Sequence, residues 1–257
     1  MELEWARLKA DELRALAQRD AIVVVPVAAI EQHGPHLPVM VDSLLCAEVA
    51  LRTARRVAAQ QPVVVAPTVW SGLSEHHMPF GGTFTLDFPT FCALLSCLCR
   101  SLVTHGFRRI FLLNGHGGNR FALRVVVDEL SRQLGAALAT ATYWEPAAGV
   151  FARILEQQPG VQHACEAETS MVMALHPELV DAARLAEAKF IEPPHAVTQR
   201  GAHVWRSFAA RTPTGVIGDP TAASAEKGER LLDAAADVIA ELLLDPGCWT
   251  ARVQARD

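Results

Sequence analysis

Short apolar runs alternate with amphipathic segments along most of this chain. Residues 22–27, Ile-Val-Val-Val-Pro-Val, are continuously apolar, as a strand covered on both faces requires. Comparable runs at 63–66, 109–113 and 136–142 predict three further strands. The segments between them carry helical periodicity. One helix is expected over 9–19, where Leu13, Leu16 and Ala17 share a face, and another over 43–59. A third begins near Pro89 and runs to 103, and a fourth ends near 134. Repeated strand–loop–helix units of this length predict an α/β fold with a mostly parallel central sheet, right-handed crossovers and helices on both faces. Beyond Tyr143 the pattern weakens. A helix over 168–175 is stopped by Pro177, and a last helix spans 222–244. The stretch 193–219, rich in Pro, Gly and Thr, is expected to be surface loop. With no linker-like stretch and no internal repeat, residues 1–257 are expected to form one domain.

Three polar clusters interrupt this pattern, two of them where a strand should end. In open α/β sheets that is the ligand-binding edge. The first, Glu31-Gln32-His33-Gly34-Pro35-His36, leads to Asp42 at the start of a helix. In extended chain Glu31 and His33 point to the same side and could face one metal ion. Asp42 fits a helix cap as well as a bridging ligand. The second cluster is Asn114-Gly115-His116-Gly117-Gly118-Asn119. Its glycines allow close approach of a ligand, but it has neither phosphate-loop spacing. In the third, His163 precedes Cys165, Glu166 and Glu168, with Glu168 opening a helix. Glu168 can be a further ligand, and His163 can reach the same cleft as a general acid or base. Glu, His and Asp together suit Zn²⁺, Mn²⁺ or Fe²⁺. His76 and His77 lie in a long loop read as a pocket wall, and Trp144 follows the fourth strand as core edge or substrate lid.

Composition narrows the partners. The chain has 23 basic and 28 acidic residues, a net charge of −5, with no basic stripe interleaved with aromatics, so nucleic acid is not expected. No apolar run approaches the roughly 20 residues of a membrane helix. The acidic start, Met1-Glu2-Leu3-Glu4-Trp5, is unlike a secretory signal. Six cysteines without a Cys-x-x-Cys pair read as reduced thiols in a cytoplasmic protein.

Taken together, these segments resemble the creatininase (creatinine amidohydrolase) family. The matching stretches are 24–42, 82–86, 114–119, Tyr143-Trp144, His163 with Glu168-Thr169-Ser170, and 215–228, in the family's order. The resemblance implies a three-layer α/β/α fold, a divalent metal centre of two ions per subunit, hydrolysis of carbon–nitrogen bonds in small amides, and a homo-oligomer, commonly a hexamer. It makes Glu31, His33, Asp42, His116 and Glu168 metal ligands, with Asp42 the bridge, and His163 the proton-transfer residue. Trp144 covers the substrate, with His77, Gly117 and Gly118 lining its site. No organic cofactor is expected. Where creatininase proper has an acidic residue, this chain has Gly118, which places it in the glycine-rich branch that includes a formamide hydrolase and a mycofactocin-precursor peptidase. Phe80-Gly81-Gly82-Thr83 also departs from the usual Phe-Pro-Gly-Thr. The expected chemistry is attack on an amide carbonyl by water whose pKa a metal ion lowers, with His163 delivering a proton to the departing nitrogen and His36 and Asn114 orienting the ligands. Hydrolysis of a short precursor peptide, a non-catalytic metal- or ligand-binding protein, and a nucleotide-binding protein using 114–119 remain as alternatives.

Overall fold

The computed structural model describes residues 2–194 and 201–250. Four parallel strands, β1 (Ile22–Val27), β2 (Val63–Val65), β3 (Arg109–Asn114) and β4 (Ala137–Thr142), form a sheet in the order β2-β1-β3-β4. Every residue of β1 is buried, so the unbroken apolar run is explained by cover on both faces. Alternation within it sorts side chains into two layers. Ile22 and Val24 pack beneath α2 (Val41–Val57), while Val23 and Val25 pack beneath α1 (Ala10–Gln18), α3 (Phe88–Thr104) and α4 (Arg120–Leu134). The first layer also holds α5 (Ala148–Ile154), α6 (Glu166–Leu175) and, beyond the short α7 (Leu185–Ala188), the long α8 (Ala225–Leu244). The three-layer α/β/α expectation holds.

Pro26 lies in a central strand, where a missing N–H is normally costly. In a parallel strand a residue's N–H and C=O point to the same neighbour. The Pro26 carbonyl accepts from Val69 N at 2.9 Å on the side where β2 has ended at Val65, so no ladder bond is lost there.

Some boundaries differ from expectation. Helix α2 begins at Val41, not Ser43, which puts Asp42 inside the first turn; Met40 is the cap residue and no side chain caps this end. Glu168 is the third residue of α6 rather than its opening residue. Helix α8 begins at Ala225, where the Ser224 hydroxyl accepts from Lys227 N. Helix α5 has no counterpart in the sequence reading, because seven residues containing Gly149 carry too little periodicity. The loop expected over 193–219 contains only a 3-10 turn at Phe208–Ala210 and isolated bridges among its described residues; 195–200 lie outside them. No helix among the described residues is long and apolar enough to cross a membrane.

Helix α8 crosses α6 without room for a side chain. A Cβ on Gly228 would lie 1.9 Å from the Ser170 carbonyl oxygen, and backbone cannot swing aside as a side chain can. Gly228→Ala is therefore expected to cost about 3 kcal/mol, the upper end of the usual overpacking range. Equilibrium urea unfolding measures this, and an unchanged midpoint would remove the argument.

Candidate metal centre

The strand order places the topological switch between β1 and β3, whose last residues, Val27 and Asn114, are paired in register. Chains leaving these two ends diverge to open a crevice. Glu31 and His33 come from the loop after β1, and His116 from the loop after β3. Asp42 reaches in from the first turn of α2, and Glu168 from the first turn of α6. All five are buried.

Their donor atoms fall into two groups that share Asp42. Glu31, Asp42 and His116 form one, and His33, Asp42 and Glu168 the other, with the atoms of each group within 4.8 Å of one another. His116 Nδ1 lies 2.9 Å from Asp42 Oδ2 and 3.2 Å from Glu31 Oε2. His33 Nε2 lies 3.2 Å from Asp42 Oδ1.

Hydrogen bonds show what these contacts are. His33 Nδ1 is 3.0 Å from the Glu31 backbone oxygen, and a carbonyl can only accept. The proton of neutral His33 is thus on Nδ1, leaving a lone pair on Nε2 that faces a carboxylate oxygen. His116 repeats the arrangement, with Nε2 donating to the Leu73 carbonyl at 3.2 Å and its Nδ1 lone pair turned toward Asp42 and Glu31. Imidazole lone pairs set against carboxylates need a cation between them or an extra proton. Accordingly, His33 Nε2 and Asp42 Oδ2 are buried without a hydrogen-bond partner. A divalent ion held by either group would satisfy these atoms, and carbonyl-anchored imidazoles are the usual support for such ions. The donor set therefore fits divalent metal.

The electrostatics agree. Burial alone would depress the His33 imidazolium, but Asp42 beside it, with Glu168 and Glu31, holds it up at about 9. Burial raises Glu168 to about 7, with His33 opposing and Asp42 adding to the rise. Burial also works against the charged form of Glu31, yet His116 and His77 hold that carboxyl well below the ordinary range.

Supporting groups close around the donors. Ala164 adopts a left-handed backbone (φ 52°), uncommon without glycine, and this turn brings its N–H to Glu168 Oε2 at 2.5 Å. Asn114 is bonded to the His116 backbone at both ends of its carboxamide, and His36 Nε2 reaches the Thr169 hydroxyl at 2.9 Å. His163 is buried, its ring 4.4 Å from that of His33. Burial, with His33 and His77 nearby, pushes this imidazole well below its usual range. Cys165 is buried too, its thiol raised to about 12 by desolvation, which leaves no ready nucleophile.

A cavity of about 1320 Å³ opens above the donors, with His76, Gly117, Trp144, Trp205 and Phe208 among its walls. Trp144 packs edge-on against buried Tyr143. Gly117 has open space where a Cβ would be. Gly118, also in the cavity wall, has none, since a Cβ there would lie 2.3 Å from the Leu73 oxygen and 2.4 Å from His116 Nε2, so this glycine lets the chain approach itself. His77 lies in the cavity wall, 1% exposed, and is also set against Glu31, its Nε2 3.1 Å from Oε1. In the glycine loop the N–H groups of Gly115, His116 and Asn119 already donate within the protein, which weakens a phosphate-cradle reading.

Three residues at the centre were not singled out by the sequence. Ser74 donates to Glu31 Oε2 at 2.7 Å, and nothing local marks a loop serine for that place. Phe208 lies with its ring 4.0 Å from His77. Gln32 carries no comparable signal, because strict alternation turns its side chain away from those of Glu31 and His33.

The model of the family described as creatinine amidohydrolase matches residues 6–243. Creatinine amidohydrolase of Pseudomonas putida is 31% identical over 264 residues, covering 94% of each chain. The mycofactocin precursor peptide peptidase of Mycobacterium ulcerans is 32% identical over 89% of this chain and 85% of its own. Among solved structures, a manganese form of creatininase superposes with a TM-score of 0.79 at 27% identity, over 95% of this chain and 98% of that one. With sequence covered almost end to end and the same fold, the chain belongs to the creatininase family.

Proposed function

We propose that this protein is a metal-dependent amidohydrolase that cleaves a carbon–nitrogen bond with water. The observation that carries this reading is the pair of carbonyl-anchored imidazoles, His33 and His116, whose lone pairs face the two oxygens of Asp42 beneath a large open cavity. Divalent ions held by Glu31, Asp42 and His116 and by His33, Asp42 and Glu168 would polarise a substrate carbonyl and lower the pKa of water. Zinc, manganese and iron all suit these donors. Asp42 ties the two halves together. Ser74 and His77 each donate to one oxygen of Glu31 and fix its plane. His163 Nδ1 faces the centre, 3.7 Å from Glu31 Oε1, where it can take a proton from water and pass it to the leaving nitrogen.

The cavity favours a second substrate class. About 1320 Å³ exceeds the volume of most small-molecule sites, so a short peptide fits as well as a compact amide. Likeness to a mycofactocin precursor peptide peptidase supports the same possibility. The test is a screen of formamides, other small amides, creatinine and short peptides with protein reconstituted in Mn²⁺ or Zn²⁺. Amide or peptide cleavage that stops on chelation is the expected result, with creatinine slower than the best substrate because Gly118 supplies no carboxylate. No hydrolysis of any class by metal-loaded protein would favour a non-catalytic binding role. Creatinine as the fastest substrate would overturn the reading of Gly118.

A further inference from the structure

Gln32 is buried between two proposed ligands and makes contacts with Thr83, His77, His163 and Gly215. Two backbone groups fix which end of its carboxamide is which. Gly34 N–H donates to Oε1 at 2.9 Å, and Nε2 donates to the Gly215 oxygen at 2.9 Å. The second amide hydrogen meets His77 Nδ1 at 2.8 Å. That nitrogen must then present a lone pair, so the proton of neutral His77 sits on Nε2, pointing at Glu31 Oε1.

The backbone of the same residue imposes the opposite polarity on a neighbour. The Gln32 carbonyl oxygen lies 2.8 Å from His163 Nε2 and can only accept. His163 is therefore protonated on Nε2 and turns a lone pair on Nδ1 toward the same Glu31 oxygen. The 3.0 Å approach between Gln32 Nε2 and His163 Nε2 is a contact between two donors, since both amide hydrogens are already engaged.

We propose that Gln32 is a positioning residue that sets the hydrogen-bond polarity around Glu31. It makes His77 a donor and His163 an acceptor, and so decides which imidazoles can take an ion or a proton. Glu31, His76 and His77 also bring donor atoms within 4.8 Å of one another, but with Gln32 in place His77 has no lone pair to offer there. Gly215 is the matching half of the device. Its left-handed backbone (φ 81°) lets the 215–218 segment approach, and a Cβ would lie 2.1 Å from Gln32 Oε1. The proposal rests on the metal-centre reading but has a separate readout.

The test uses the 257-residue protein with ¹⁵N-labelled histidine, loaded with Zn²⁺. Long-range ¹H–¹⁵N correlation of the wild type should show His77 protonated on Nε2. Gln32→Glu replaces the donor with an acceptor and should move that proton to Nδ1. Zn²⁺ affinity, measured by chelator competition, should fall about 10–100-fold, the usual effect of changing a group that orients a ligand. In a His77→Ala background the same change should have much less effect on Zn²⁺ affinity, because Gln32 acts through that ring. A wild-type His77 protonated on Nδ1 overturns the proposal without any variant. So does a folded Gln32→Glu protein with unchanged tautomer and Zn²⁺ affinity. Absence of amide hydrolysis alongside the expected tautomers and Zn²⁺ affinities would defeat only the proposed activity.

Discussion

Asp42→Ala is expected to abolish turnover and lower metal affinity by at least about 10²-fold, beyond the typical effect of a residue that only supports a ligand. Asp42 faces a different imidazole lone pair with each oxygen, so its removal takes a negative donor from both halves at once. The helix should survive, because no side chain caps α2 and the backbone bonds of residue 42 do not depend on its side chain. Metal content, circular dichroism and activity on one preparation separate these effects. Tight metal binding by Asp42→Ala would sink the bridging assignment. The same groups set a pH dependence. His33, at about 9 against an ordinary 6.5, and Glu168, at about 7 against 4.5, are both raised in the folded protein. Each contributes stability to metal-stripped protein that is complete below its unfolded pKa and lost as pH rises through its folded one. His36, His76, His77 and His163 have the opposite sign, being depressed, and their effect is complete above about pH 6.5. Thermal stability of the stripped protein should therefore decline from about pH 7 to about pH 9. Metal binding, which requires both protons to leave, should strengthen over the same window. Glu31 has the opposite sign, but its pKa is depressed, so its contribution is lost at lower pH.

His163→Ala is expected to keep nearly normal metal content while slowing turnover by about 10²–10⁴-fold, the scale of general acid–base catalysis. Its backbone bonds to Ile217 do not involve the side chain and should hold the loop. Because surrounding burial and imidazoles keep His163 neutral, it must acquire a proton before giving one to the leaving nitrogen. A substrate whose leaving group needs no proton should recover much of the lost rate. The geometry supplies a pointed rival, since Glu31, His33 and His163 also bring donor atoms within 4.8 Å of one another. If His163 is a ligand, the variant loses metal and added metal partly restores activity. Unchanged metal content with an unchanged rate would leave His163 no part in the chemistry.

Much of this was legible from local pattern. The apolar runs at 22–27 and 109–113 could be read as covered strands because side-chain alternation is a property of a few consecutive residues. Glycine, histidine and carboxylates at their ends then located a ligand-binding edge. The seven-residue α5, between Trp144 and the third cluster, was too short to announce itself. Asp42 could be named as a candidate bridge, but its place inside α2 depended on where the helix actually starts.

Residue order by itself determined the alternation of strands and helices and the supply of oxygen and nitrogen donors at the ends of two strands, since each is written within a few residues. Tertiary structure alone decided how the donors divide about Asp42, why Gly118 has no space beside it, and what Gln32 does. His116 owes its inward lone pair to the Leu73 carbonyl, 43 residues earlier, and His163 owes its own to Gln32, 131 residues earlier. A neutral imidazole offers a lone pair on one side only after something else has taken its proton on the other. That partner is chosen by the fold, not by neighbours in sequence.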